Sequence, residues 1–388
     1  MDRFLLDHLL TESVERYALP GIVAAVVSPT ALLYSGAVGK RAVDQPAPLT
    51  MDTLFWIASM TKVITATAAM QLVEQGKLHL NETVGNIVPE LAAVPVLTGF
   101  DAAGQPQLRP PKRPITLRHL LTHSAGFGYD MWNLLLARYR VLKGIPGTRD
   151  GNGDALALPL LFDPGEQWQY GINLDWVGRI VEAVSGQRLG EYFQQQIFEP
   201  LDMQDTTFAL TADQRARLAT VHARQSDGTL ATTDFAMPAN PGVQMGGGGL
   251  HSTAPDYLRF LQMILNRGTL DGNCILDAAT IDLMAQNHLG ELSCSTMVTA
   301  KPALSNNANF FPGMVQKWGL SGLINTVRSP QGRPAGSLAW AGLANTFFWI
   351  DSETGIAGLF MTQLFPFFDH GAIAAFRAFE AAVYGALS

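Results

Sequence analysis

Ser59-Met60-Thr61-Lys62 places a hydroxyl and an amine three residues apart. On a helix, three residues turn about 300°, so the two side chains lie on nearly one face and can meet. A lysine amine beside a serine hydroxyl takes up its proton or holds a nearby anion, and either role makes an alcohol a usable nucleophile. Such a string recurs by chance on solvated helices. Here, though, Thr53-Leu54-Phe55-Trp56-Ile57-Ala58 precedes the serine and Val63-Ile64-Thr65-Ala66-Thr67-Ala68-Ala69-Met70 follows the lysine. A helix apolar on most sides is a buried helix. A buried lysine needs a partner or a function.

Two further segments carry candidate chemistry. Pro164 to Trp176 leads from a turn through Trp168 and Tyr170 into an amphipathic helix over 174–185, which stops at Gly186. Tyr170 stands at that junction, where a side chain can point into a cleft or be half-buried in the core. Trp340-Ala341-Gly342-Leu343-Ala344-Asn345-Thr346 is a strand whose small residues let a ligand approach the backbone. Other motifs fail on inspection. Met245-Gly246-Gly247-Gly248-Gly249-Leu250 lacks the spacing and lysine of a phosphate loop, and reads as a flexible or close-approach loop. Asp150-Gly151-Asn152-Gly153-Asp154 opens like a calcium loop, but Ala155 and Leu161 stand where glycine and an acid are needed. His119 and His123 are four apart without the glutamate of a metalloprotease motif or a third ligand. No metal and no cofactor are expected.

The 388 residues, 47% hydrophobic and 15% charged, suit two lobes or one large globular domain. The net charge of −7, with no basic run interleaved with aromatics, speaks against nucleic acid and anionic membrane surfaces as partners. The start, Met1-Asp2-Arg3-Phe4-Leu5-Leu6, lacks the basic, long apolar pattern of a secretory signal. Cys274 and Cys294 are too few for a disulfide framework or a cysteine zinc site, and read as two buried thiols. A reducing cytoplasm is the expected location.

The pattern predicts a helix over 2–17, strands over 22–28 and 31–37, and a helix over 59–75 ending at Gly76. Helical segments between Pro- and Gly-rich loops follow to about residue 265, with irregular chain expected over 101–114 and 145–154. Strands return at 337–340, 345–351 and 358–364, before a terminal helix over 371–387. The expected fold class is α+β: an antiparallel sheet formed by both termini and flanked by helices, with an inserted, mainly helical lobe. The expected division puts 1–75 and 260–388 in the sheet lobe, 76–259 in the helical lobe, and the site in the cleft between them.

In this order, the pieces resemble the serine β-lactamase and penicillin-binding-protein superfamily, and within it the class C-like branch known as family VIII carboxylesterases. Matching phrases besides the Ser59 motif are Pro20-Gly21, Leu117-Arg118-His119-Leu120-Leu121-Thr122-His123-Ser124-Ala125-Gly126, Pro164-Gly165, and Gly247-Gly248-Gly249-Leu250-His251-Ser252-Thr253-Ala254. The resemblance implies Ser59 as nucleophile, Lys62 and Tyr170 as its base machinery, and the backbone N–H groups of Ser59 and Leu343 as the oxyanion hole. It gives His119 and His123 structural roles under the site. Two departures matter. The family's K-T-G strand reads Trp340-Ala341-Gly342, which suggests an aromatic wall for neutral, short-acyl esters in place of a cation for an anionic substrate. The family's Y-x-N motif is stretched to Tyr170-Gly171-Ile172-Asn173, leaving Asn173 as the candidate amide. No serine carries glycine at both −2 and +2, so the α/β-hydrolase elbow is absent. The expected reaction is ester hydrolysis through an acyl-enzyme. β-Lactam or D-alanyl peptide cleavage, acyl transfer, and a non-catalytic binding role are the alternatives.

Overall fold

The computed structural model describes residues 1–320 and 322–387. Seven antiparallel strands form the main sheet: β1 (Gly21–Val27), β2 (Leu32–Gly39), β3 (Gln316–Trp318), β4 (Leu323–Asn325), β5 (Leu338–Gly342), β6 (Thr346–Asp351) and β7 (Ile356–Met361). Their order is β3-β4-β5-β6-β7-β1-β2, so strands from the two ends of the chain meet where β1 pairs with β7. β1 reads Gly-Ile-Val-Ala-Ala-Val-Val and is buried along its whole length, as a strand covered on both faces must be. β2 lies at the sheet edge and begins with exposed Leu32 and Leu33.

Alternation along β6 assigns its two faces. Phe347 and Trp349 meet Phe376 and Phe379 of the terminal helix α6 (His370–Gly385), with Phe347 stacked on Phe376 at 4.5 Å. Phe348 points the other way, to Tyr257 of α5 (Ala254–Leu265). Trp349 lies opposite Gly358 of β7, and a Cβ there would stand 2.0 Å from the indole; the glycine makes the room. The first helix, α1 (Arg3–Arg16), packs on β2 and α6.

Between the two strand groups the chain builds α2 (Thr61–Glu74), α3 (Leu134–Lys143) and α4 (Asn173–Ser185), each ended by a left-handed glycine at 76, 144 or 186. α2 packs against α4. A lobe boundary at 259/260 falls inside α5, which packs on β1, β6 and β7.

The structure differs from the sequence reading in three places. Segments over 96–100 and 106–109 pair as a hairpin across the Pro-rich stretch, because Pro106 begins its strand, where it gives up no central ladder bond. Strands β3 and β4 are too short to show a two-residue period. Cys274 is exposed on a short surface hairpin instead of buried, whereas Cys294 is partly covered and burial pushes its thiol pKa up. Among the described residues, no helix is long and apolar enough to cross a membrane.

The terminal helix is tied to the connection between β4 and β5 by an ion pair sealed from water. Arg333 Nε donates to Glu380 Oε1 at 2.6 Å, both side chains being 2% exposed. Truncating Glu380 leaves a buried guanidinium uncompensated. Glu380→Ala is expected to cost about 3–5 kcal/mol, read as a fall in the urea midpoint. An unchanged midpoint contradicts the assignment.

Candidate active site

Ser59 owes its position to a tight turn. Phe55–Trp56 pairs with His251–Ser252, and Ala58 then adopts φ +44°, uncommon for a residue with a Cβ. A single 3₁₀ turn, Ala58–Met60, carries Ser59 and runs directly into α2. Ser59 lines a cavity of about 450 Å³ whose wall also includes Trp56, Tyr129, Asp175, Gly247 and Leu343.

Lys62 lies one turn into this element at 1% exposure. Its Nζ donates to Ser59 Oγ at 3.1 Å, to Tyr129 Oη at 3.1 Å and to the Gly247 carbonyl. Three acceptors match the three hydrogens of an ammonium. Burial nevertheless favours the neutral amine and lowers the pKa from 10.5 to about 7, with Asp175 pulling in the other direction.

Tyr170 is held beside this pair by an aromatic shell. Its ring lies 4.7 Å from Trp340, 5.5 Å from Tyr129 and 5.6 Å from Trp132, and Lys62 Nζ sits 4.8 Å from its centroid. Its hydroxyl accepts the Trp340 indole N–H at 2.9 Å and is hydrogen-bonded to Ser59. Burial raises the pKa of this phenol, more than those hydrogen bonds lower it. At neutral pH the phenol therefore keeps its proton, whereas the amine is poised to exchange one.

The structure thus brings Ser59, Lys62 and Tyr170 together, with Leu343 on the same cavity wall. Three other expected contacts lie elsewhere. Asn173 is fully buried as the first residue of α4, its amide 2.8 Å from His123 Nδ1, and it does not line the cavity. The one-residue stretch in Tyr170-Gly171-Ile172-Asn173 turns that side chain toward the core. Trp340 is also behind the wall, at 3% exposure, with its N–H donated to Tyr170, and it does not line the cavity. Gly342 serves packing: a Cβ would lie 2.4 Å from the Ile57 carbonyl and 2.2 Å from Thr346 Oγ1, so glycine lets β5 close on the turn before Ser59. His123, with φ +56°, lies outside the short helix Leu117–Leu121, so the two histidines do not share a helical face.

Three residues escaped the sequence reading. Tyr129 follows the matching phrase 117–126 by three positions, and no local pattern marks it. Asp175, in the first turn of α4, looks like an ordinary helix-start acid, yet it is 3% exposed. Gly247 belongs to the glycine run already noted; its N–H donates to Asp175 Oδ1 at 2.8 Å while its carbonyl faces Lys62. The visible signal was the run of glycines. Its meaning depends on what the fold brings against it.

A family model described as Beta-lactamase matches residues 6–382. The chain belongs to the β-lactamase family. It is 34% identical over 396 residues to the monacolin J acid methylbutanoyltransferase of Aspergillus terreus, spanning 98% of this chain and 95% of that one. It is also 34% identical over 355 residues to the lovastatin esterase of Penicillium rubens, with 87% of each covered. Among solved structures, a mutant of the simvastatin synthase from Aspergillus terreus superposes with a TM-score of 0.86 at 34% identity, covering 99% of this chain and 98% of that one.

Membership of the β-lactamase family shows the expected fold and superfamily, and its relatives here include both acyltransferases and an esterase. Trp340 occupies the family's strand-lysine place, but its indole reaches the tyrosine hydroxyl and not the cavity. Trp340→Phe keeps the ring and removes that donor. The variant is expected to lose about tenfold in kcat, the worth of one hydrogen bond near 1 kcal/mol or above, with KM for p-nitrophenyl butyrate little changed. A KM rise with kcat intact would put the indole in contact with substrate instead.

Burial of Lys62 has a thermodynamic side that can be tested independently. With its pKa lowered, the folded chain binds fewer protons than the unfolded chain between about pH 7 and 10.5, so stability rises with pH across that window. Below it, the full penalty applies, on the order of 5 kcal/mol. Lys62→Met is expected to abolish turnover and raise the thermal midpoint at pH 6. A lower midpoint would mean that the amine stabilises the fold.

Proposed function

We propose that this protein is a serine acyltransferase that moves an acyl group from an ester donor, through an acyl-enzyme on Ser59, to an alcohol acceptor. What carries the reading is the hydrogen-bonded Ser59–Lys62–Tyr170 cluster at the wall of a cavity large enough for a small molecule. As Ser59 Oγ bonds to the donor carbonyl, its proton passes to the neutral Lys62 amine. The backbone N–H groups of Ser59 and Leu343 meet the developing oxyanion. The donor's C–O bond then breaks, and the Lys62–Tyr170 pair returns the proton to the departing alkoxide. In the second half, an acceptor hydroxyl gives its proton to Lys62 and attacks the acyl carbon; as the acyl–Oγ bond breaks, Lys62 passes that proton to Ser59 Oγ, restoring the serine and the neutral amine. Water in the acceptor's place gives ester hydrolysis, so a carboxylesterase is the same machine without a competing alcohol. The names of the relatives favour transfer.

The cavity has two unlike ends. Trp56, Phe235, Phe365 and Met237 form an apolar wall that packs with Leu343 and suits an acyl chain. Toward Tyr129 and Trp132 the wall is polar. There, Asp130 accepts from Lys301 at 2.5 Å and pairs with Arg140 at 2.9 Å. Burial disfavours the Asp130 carboxylate, but the two cations outweigh it and hold its pKa low. Lys301 and Arg140 thus stand on the cavity wall at this end, where they can pair with an acceptor that bears a carboxylate. Relatives named for monacolin J acid and ML-236A carboxylate support that choice.

Two measurements test this reading. With p-nitrophenyl butyrate as donor, butyryl transfer to 3-hydroxybutyrate should exceed transfer to its neutral methyl ester. Lys301→Ala should raise KM for the acid alone by roughly ten- to a hundredfold, the range for a charge-assisted bond. Absence of any transfer product, with ester hydrolysis intact, would return the protein to the esterases. Second, if Lys62 must be neutral to act, kcat/KM should rise with pH through a midpoint near 7 and then level. A profile flat from pH 5 to 9 would remove Lys62 as the base.

A further inference from the structure

We propose that Asp175 is the positioning residue of this site: its single carboxylate holds both the Gly247 peptide and the Tyr129 hydroxyl, the two groups that, with Ser59, fix the amine of Lys62. The inference rests only on the part of the proposed function shared by transfer and hydrolysis, activation of Ser59 by Lys62.

Each arm is visible in the geometry. Gly247 donates its N–H to Asp175 Oδ1 at 2.8 Å and offers its carbonyl to Lys62, so the carboxylate orients the peptide that receives the amine. Tyr129 Oη accepts from Lys62 at 3.1 Å and is hydrogen-bonded to Asp175, so its own proton points to the carboxylate. There is no slack at this junction. A Cβ on residue 247 would stand 2.5 Å from Asp175 Oδ2. Asp175 itself is fixed in the first turn of α4, where helix N–H groups favour an anion.

Asp175 also sets charge. Burial pushes its own pKa up, but Lys62, the Gly247 N–H and Tyr129 act to keep it ionised. As an anion beside a buried amine, it opposes the desolvation that drives Lys62 toward neutrality. The other titratable neighbours do not exchange protons near neutral pH. The Tyr129 and Tyr170 phenols are raised by burial, and His123 is held neutral by burial and by Lys62. Arg140, the nearby cation acting on Tyr129, is paired with Asp130. A midpoint near neutrality therefore reports the Lys62–Asp175 pair.

Asp175→Asn keeps shape and an acceptor for Gly247, but removes the charge and presents an amide N–H to Tyr129. The readout is the rate of Ser59 labelling by a fluorophosphonate, followed by intact mass across pH. This reports activation of the hydroxyl without any acceptor alcohol. The midpoint of labelling is expected to fall by about one unit, with the plateau rate lowered about tenfold or more. Tyr129→Phe cuts one arm and leaves the charge. It should lower the plateau with a smaller midpoint shift, and the double variant should lose less than the product of the two. A lowered plateau with an unmoved midpoint in Asp175→Asn, or full multiplication of the two losses, would reduce Asp175 to a structural residue. Should Asp175→Asn not fold, Tyr129→Phe decides: unchanged labelling overturns the assignment. A protein that labels as expected but transfers no acyl group refutes the acyltransferase reading and leaves this one standing.

Discussion

The structure around the site depends on keeping one amine out of water. Lys62 emerges from a helix that is buried from Thr61 to Leu72, and nothing apolar in that setting stabilises an ammonium. Tyr129, the Gly247 carbonyl and Ser59 supply its hydrogen bonds, while Tyr170 and its aromatic neighbours shut out solvent. Burial disfavours the charge and hydrogen bonding satisfies it. The opposition brings a lysine close to neutrality, where it can both take and return a proton.

The same requirement explains features that look unrelated. The glycines at 246 and 247 have no space for a side chain: a Cβ would meet the Leu174 carbonyl at 2.7 Å and Asp175 Oδ2 at 2.5 Å. The close main-chain approach lets a carbonyl, which unlike a carboxylate does not titrate, accept from the lysine. Gly342 serves a similar end on the opposite side, letting β5 close on the turn that bears Ser59. Trp56 joins the two, its indole N–H donating to the Gly248 carbonyl at 2.8 Å while its ring faces Phe235. The cation missing from the strand motif does not leave the cavity uncharged. Lys301, from a distant loop pinned to Met131 by the Ala300 N–H, brings one back at the polar end. Position 340 alone therefore does not set the charge of the cavity.

The sequence by itself determined the Ser59–Lys62 pairing and most of the scaffold. The Ser59–Lys62 spacing is a local, helical relation, and it survives although the serine sits in a 3₁₀ turn, because that turn runs straight into α2. The long apolar runs at β1, β6 and β7, and the glycine stops at 76 and 186, express period and backbone preference, which neighbours along the chain decide. What only the tertiary structure decided are relations between segments far apart in sequence. Whether Trp340 faces a ligand or a tyrosine depends on how β5 meets the 164–176 segment, and the strand's own pattern is the same in either case. Asn173 was moved off the site by one added residue, a rotation whose direction is set by packing against His123. Tyr129 and Asp175 carry no motif because their work is mutual: each is ordinary until the fold places both against the amine of Lys62.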